Sequence, residues 1–417
     1  MQRLELPNTL VFREIVRRFV ERKYDMNIEQ LYKDLVALCE TNEAFFFKDF
    51  TYEGYTHRIF NYRLATYSDF MLPGAIEARG IMFVLGPDME MIRCVCRPME
   101  KFFNAGENPS TMNLDYSYTK KIMFKEDGSL ISTYLDISSG DLMLKTKGSL
   151  NSEQCIDAMK FMRNNLAMSD SQFVTDLYWT TVHGWTVNME WVAPWNRIVL
   201  HYAKPALVIL NVRNNDTGEY MDESDYPESF KTYVVANYEP WEDTDHMPAP
   251  DQLVEFIHSR ENFEGVVVQL NSGQHVKIKT NWYTVLHRAK DSVDNPKSLI
   301  EAVLAENTDD LRQLFSDMPE ILDRIGRYEE HVSHKFNHIV AALNGFKEYM
   351  DSTGDYTRKD YAIAAKDQWS FFPEFFGVQM NMLVRPEKSV DDQVKEVMMK
   401  NYRDYVLPED VKEESEE

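Results

Sequence analysis

The sequence predicts an α+β fold: a domain built on antiparallel strands, then a separate domain that is helical throughout. Three observations carry that reading. From about residue 44 to 280 the chain is cut into short runs rich in Phe, Tyr, Ile, Val and Thr. Turn signals separate several of them: Gly86-Pro87-Asp88, Ser138-Ser139-Gly140-Asp141 and Asn271-Ser272-Gly273. After Asp294-Asn295-Pro296 the strand-like alternation almost vanishes and helical spacing replaces it.

Taken in order, residues 28–39 place apolar groups at helical spacing and predict a short amphipathic helix. Strand-like runs follow at 80–85, 91–95, 130–137, 142–147, 186–192, 206–212, 265–270 and 275–279, with one helix-like interruption at 152–166. Beyond the Asn-Pro break, 298–305, 309–315, 320–349, 361–366 and 391–405 read as helices. The expected parts are an N-terminal extension (1–27), a strand-rich domain (28–290), a helical domain (291–407) and an acidic, solvated tail (408–417). No internal repeat is evident. The aromatic residues of 361–383 suit either a helical core or a partner surface, with the core preferred.

Composition sets limits. A chain of 417 residues, 44% of them hydrophobic, supplies two cores. Its first residues are charged throughout, unlike a signal peptide, and its longest apolar stretch, around Ala206–Leu210, is too short to span a bilayer. No membrane association is expected, and the oligomeric state is left open. Cys39, Cys94, Cys96 and Cys155 form no paired CxxC pattern and read as free thiols, with Cys94 and Cys96 on one strand face. The formal charge of −23 argues against binding a polyanion until its distribution is considered. Residues 216–264 hold fourteen acids against two bases, and 408–417 hold six against one. Bases meanwhile cluster at 93–101, 120–125, 145–147 and 277–290, which leaves room for a basic groove.

The sharpest local signal is Lys125-Glu126-Asp127-Gly128, placed just before a strand. A lysine at such a turn can act as a nucleophile once its amine is neutral, which nearby cations or desolvation favour. Lys277 and Lys279, two apart in a strand, project from one face. That pair suits a phosphate group, and equally an exposed edge strand on which lysines discourage aggregation. Glu190 interrupts an apolar run and Glu264-Gly265 opens another. Acids there need partners: a ribose hydroxyl, a cation such as Mg²⁺, or a salt bridge.

The ordered set Lys-Glu-Asp-Gly, lone strand Glu, Glu-Gly and Lys-x-Lys resembles the covalent nucleotidyltransferase superfamily of DNA ligases, RNA ligases and mRNA capping enzymes. The flanking stretches HRIFNY (57–62), ARGIMF (78–83), RPMEKFFN (97–104), KEDGSLISTYLD (125–136), NRIVL (196–200), LNVRNNDTGEY (210–220) and HVKIKTNWY (275–283) are similar to the bacteriophage tRNA-repairing RNA ligase family, the RNA ligase 1 class. The resemblance covers roughly residues 28–315 and continues more faintly beyond. It implies an antiparallel-sheet adenylyltransferase domain. It also implies an ATP-dependent enzyme that joins 5′-phosphate and 3′-hydroxyl ends of single-stranded RNA, such as a cleaved tRNA, in the cytoplasm of a phage-infected cell. Lys125 would carry AMP, and Tyr62, Arg79, Lys101, Phe103, Lys147 and Tyr283 match nucleotide-contacting positions. Glu190 would accept from the ribose. Lys277 and Lys279 would neutralise the α-phosphate, and Glu264 and Asp309 would serve Mg²⁺, or Mn²⁺ in its place. Two departures from the pattern, about two dozen extra N-terminal residues and the acidic tail, touch no motif. DNA ligases and capping enzymes usually continue into a small β-barrel, whereas 296–405 reads as helices.

Overall fold

The computed structural model describes residues 26–239, 249–370 and 372–411. The expected N-terminal extension lies outside these, apart from its last residues. The described chain forms two compact units that part between Thr284 and Val285.

In the first unit, helix α1 (Met26–Thr41) precedes the meander β1 (Phe45–Tyr52), β2 (Tyr55–Tyr62), β3 (Met82–Leu85) and β4 (Met91–Cys96), all antiparallel. After a two-residue β5 (Phe103–Asn104) come β6 (Thr119–Phe124), β7 (Ser129–Leu135) and β8 (Leu142–Thr146). Helices α2 (Glu153–Phe161) and α3 (Ser171–Val182) lead into β9 (Trp185–Val192) and β10 (Ala206–Asn214). Helix α4 (Leu253–His258) then leads into β11 (Gly265–Leu270) and β12 (His275–Lys279). The strands make three four-stranded sheets, ordered β1-β2-β3-β4, β10-β9-β7-β8 and β5-β12-β11-β6.

Alternation decides which face each sheet buries. Ile131, Val187, Met189 and Trp191 join Ile59, Met82 and Val84 in a core that also takes up α2 and α3. The other face of the first sheet, with Phe45, Phe60 and Phe83, packs on Ile28, Leu35 and Leu38 of α1. In the third sheet Val266, Val268 and Ile278 pack against Leu253 and Ile257 of α4. The intervening residues Met123, Val267, Gln269, His275 and Lys277 are thereby turned to the opposite face, where they line a cavity.

Three local expectations need correcting. The helix-like interruption at 152–166 is followed by a second helix, Ser171–Val182, which was not foreseen because its run is rich in β-branched and aromatic residues. Its Asp170 side chain accepts from Phe173 N at 3.1 Å and caps it. The helix α4 was likewise not foreseen, being only six residues long. Cys94 and Cys96 do not share a core: a register shift in the β3–β4 pairing puts Cys94 beside Phe83 and Cys96 beside Met82. Cys94, Cys96 and Cys155 are buried and Cys39 is half-buried, all as free thiols.

Helix α5 (Asn281–Asp294) crosses the division. The second unit continues with α6 (Pro296–Leu304), α7 (Thr308–Leu314), α8 (Pro319–Ser352), α9 (Arg358–Gln368), α10 (Phe376–Val384) and α11 (Val390–Lys400). No β-strand occurs among its described residues, so the β-barrel alternative is overturned. Asn295 caps α6 through Lys297 N and Ser298 N, which explains the break read from Asn295-Pro296. The core gathers Ile321, Ile325, Tyr328 and Val332, one stripe of α8, with Leu299, Ile300, Val394 and Met398. Tyr361, Trp369 and Phe375 are buried too, so the core reading of 361–383 holds for these three rings. The acidic tail does not begin at 408. Pro408–Asp410 forms a 3-10 turn whose Asp410 pairs with Arg324 at 2.9 Å and accepts from Tyr328 Oη at 2.6 Å. Pairing with Arg324 and with the buried Tyr328 outweighs the solvation that the charge pattern suggested.

Candidate active site

The site is built on the first residues of β11 and the turn after β6. Lys125 N donates to Gly265 O at 2.9 Å, extending the β6–β11 ladder by one step and fixing where the lysine leaves the sheet. Lys125 Nζ then meets Glu264 Oε2 at 2.6 Å, while Lys279 Nζ meets Glu264 Oε1 at 2.9 Å. Glu264, only 2% exposed, thus bridges two ammonium groups that come from the strands on either side of β11. Gly265 follows it for a steric reason. Its φ is +146°, and a Cβ there would lie 2.1 Å from Ile278 O. The close approach of β11 to β12 brings Glu264 and Lys279 together, and it tolerates no side chain.

The turn after Lys125 is pinned from three sides. Asp127 is 1% exposed. Its Oδ2 accepts from Val199 N and Leu200 N, both at 2.8 Å, and its Oδ1 accepts from Tyr283 Oη at 2.6 Å. Asp127 N donates to Tyr202 Oη at 2.9 Å, and that hydroxyl donates on to Glu126 Oε2 at 2.8 Å. Gly128 closes the turn where a Cβ would stand 2.3 Å from Trp191 O. Gly128 N donates to Glu190 Oε1 at 3.1 Å, which aims the Glu190 carboxylate at the same turn.

A cavity of about 680 Å³ opens over this turn, between the sheet of β11 and β12 and that of β9 and β10. Of the positions expected from the sequence, Tyr62, Arg79, Lys101, Lys125, Lys147, Glu190 and Lys277 line it. The Tyr62 ring has the Lys147 ammonium 5.2 Å from its centroid and the Lys101 ammonium at 5.4 Å. Burial and the neighbouring cations Lys101, Lys125 and Arg79 push the Lys277 amine down to about 7. Burial likewise lowers Lys147. Burial lifts the Glu190 carboxyl to about 7, with Glu264 adding to the rise and Lys125 opposing it. Crowded like charges of this kind are relieved by an anion, and phosphate groups carry the charge required.

The other expected positions stand elsewhere. Phe103 lies beneath Lys101, its ring centroid 5.5 Å from the ammonium, packed edge-on to Tyr67 and Phe70. Tyr283 is buried and holds Asp127, with Lys279 Nζ 5.0 Å from its ring. Glu264 and Lys279 form the ion-paired base under Lys125 rather than the cavity wall. Asp309 belongs to the second unit, exposed in the first turn of α7. Among the described residues no group of three or more His, Cys, Asp or Glu gathers as a metal cage.

Sequence reasoning passed over one network. Glu77 bonds Arg97 at 3.0 Å and Arg213 at 2.7 Å. Arg213 also donates to Pro98 O at 2.8 Å and pairs with Glu100 at 3.2 Å, and Glu100 accepts from Tyr220 Oη. These groups fix the segment carrying Met99, Lys101 and Phe102 against β10. Arg97 and Arg213 stand inside recognised stretches, but their shared partner Glu77 is distant in sequence from one of them and gives no signal.

Comparison with known proteins bears on this geometry. A family model described as RNA ligase matches residues 77–283. A second, described as the C-terminal domain of T4 RNA ligase 1, follows it over residues 290–410. The chain belongs to the RNA ligase 1 family. This ligase is 26% identical over 319 residues to RNA ligase 1 of bacteriophage TS2126, a match covering 74% of this chain and 75% of that one. A protein of Autographa californica nuclear polyhedrosis virus, provisionally named a bifunctional polynucleotide kinase/RNA ligase, is 27% identical over 267 residues. That match takes in 60% of the ligase and 36% of the viral protein, so the chain spans about a third of that relative. A solved archaeal ATP-dependent RNA ligase aligns over 77% of this chain and 83% of its own, at 12% identity and a TM-score of 0.41. Among the described residues of the ligase, no helix is long and apolar enough to cross a membrane.

Proposed function

We propose that this RNA ligase joins the 5′-phosphate and 3′-hydroxyl ends of single-stranded RNA through AMP carried on Lys125. Broken tRNA would be its natural substrate. ATP is the nucleotide of the family. The observation that carries the reading is the position of Lys125 Nζ: at the cavity wall, 2.6 Å from a buried carboxylate, among Lys277, Arg79 and Glu190.

In the first step the Lys125 lone pair attacks the α-phosphorus of ATP. A P–N bond forms, the P–O bond to pyrophosphate breaks, and the lysine proton has Glu264 Oε2 as its nearest acceptor. Lys277 and Lys279 neutralise the α-phosphate, with Lys101, Lys147 and Arg79 available to the remaining phosphates. Glu190 accepts from the ribose. Mg²⁺ would be held by the phosphates and the Glu264 carboxylate and would supply charge neutralisation; Asp309 remains a candidate for a second ion. The AMP then passes to the RNA 5′-phosphate, and the 3′-hydroxyl displaces it. Each step is attack at phosphorus, so positioning and charge stabilisation carry the catalysis.

The test is intact-protein mass after incubation with Mg²⁺ and ATP or GTP, on enzyme first stripped of any bound AMP. One AMP added from ATP alone, absent in Lys125→Ala, is expected. The variant should still seal RNA that already bears a 5′-adenylate. Ordinary sealing by Lys125→Ala with ATP would defeat the mechanism, and no adduct on the wild type would make the chain an RNA-binding relative.

A further inference from the structure

The cavity floor is a strand ladder, and its register sets a direction for the nucleotide. Lys125, Gly265 and Lys279 form the first row across the sheet, joined by the Lys125 N to Gly265 O bond and the Gly265–Lys279 pairing. Met123, Val267 and Lys277 form the second, and Lys121, Gln269 and His275 the third. Successive rows are two strand residues apart, roughly 7 Å. Beyond the first row, on the side away from the second, space is closed by Glu264, Thr280 and Tyr283, each at most 2% exposed. A nucleotide whose α-phosphate meets Lys125 therefore extends its base the other way, over the second row and toward the third.

The chemistry of the rows agrees with that direction. Met123 and Val267 offer an apolar surface to the flat face of a base. The third row is polar, and two of its members are engaged: Lys121 with Glu223, and His275 stacked on Phe102 at 4.5 Å. Gln269, between them, lines the cavity half-buried, with its side-chain amide on the cavity face. An amide at the rim of a purine accepts from a 6-amino group and donates to an adjacent ring nitrogen, the pairing by which Asn and Gln read adenine.

We infer that Gln269 is a specificity-determining residue that recognises the 6-amino edge of the adenine during Lys125 adenylylation. This rests on the reading of Lys125 given above. A side-chain amide can rotate to suit guanine, so the decisive probe is purine riboside triphosphate, which lacks the 6-amino group and is otherwise ATP.

The experiment measures the rate of nucleotide attachment, by intact mass, with ATP and with purine riboside triphosphate, for wild type and Gln269→Ala. Wild type should favour ATP by about tenfold in kcat/KM, within the range of one bidentate base contact. In the variant that ratio should fall to near one, mainly through a higher KM for ATP. Retained use of the analogue shows that the variant is folded. A ratio unchanged by the substitution, or equal losses on both nucleotides, overturns the inference. Absence of any adduct on the wild type with either nucleotide overturns the reading beneath it, and the inference with it.

Discussion

Lys277 shows how one residue couples charge to ligand. Its amine is pushed down to about 7 by burial and by Lys101, Lys125 and Arg79. The unfolded chain holds the lysine proton up to about 10.4, so between pH 7 and that value the unfolded state binds more protons. Stability contributed through Lys277 therefore rises with pH over that window, because a folding cost present at low pH is relieved as the amine loses its proton. A phosphate beside it reverses the shift, and the amine regains its proton. Binding of a non-hydrolysable ATP analogue at pH 8 should take up about one proton at this amine, and Lys277→Met should abolish that uptake. Calorimetry in two buffers of different ionisation enthalpy measures it. No difference between wild type and variant would remove Lys277 from the phosphate site. Glu190, raised to about 7, has the opposite sign: its contribution is complete at low pH and is lost as pH rises through 7.

At the scale of elements, the reactive turn is held by a loop and a helix start rather than by its own strand. The loop Val199–Leu200, Tyr202 and Tyr283 all bond Asp127. Tyr283→Phe leaves Asp127 Oδ1 without that donor and should cost about 1–3 kcal/mol of stability. Because the turn aims Lys125, the variant should also lower kcat for AMP attachment while KM for ATP moves little. A proportionate rise in KM would instead put Tyr283 against the nucleotide, as the resemblance alone implied. The motif's spacing was legible in the sequence, since Lys125-x-Asp127-Gly128 and Glu264-Gly265 are contiguous. Which members face the cavity was not. Phe103, Glu264 and Tyr283 carry reactive or aromatic groups in the right stretches, yet packing turns them behind the wall, and Lys279 is drawn into its ion pair with Glu264. Periodicity reports the face of a strand but not what stands opposite it.

For the whole molecule, each unit has a core of its own, one around β7 and β9 and the other around α8. The Lys125 turn and the cavity over it lie in the first. We therefore expect removal of residues 296–417 to spare AMP attachment to Lys125 more than the sealing of cleaved tRNA. Parallel assays of mass adduct and tRNA joining test this, and equal loss of both would assign the helical unit to folding rather than RNA recognition.

The sequence by itself determined the fold class, the break at Asn295-Pro296, the strands β3, β4 and β7 to β12, and the contiguous Lys125-x-Asp127-Gly128 motif. These depend on local rules: period-two alternation, turn chemistry and helix capping act over a few residues and leave their mark there. It left α3 unassigned, a helix rich in β-branched and aromatic residues, and misread the start of the tail, where Asp410 is bound by Arg324 and Tyr328 across the helical core. Only the tertiary structure joined Glu264 to Lys125, Asp127 to Tyr283, and Glu77 to Arg97 and Arg213. Those partners lie up to 156 residues apart, and pairing at such a distance follows from sheet register and the packing of separate elements, which no local pattern encodes.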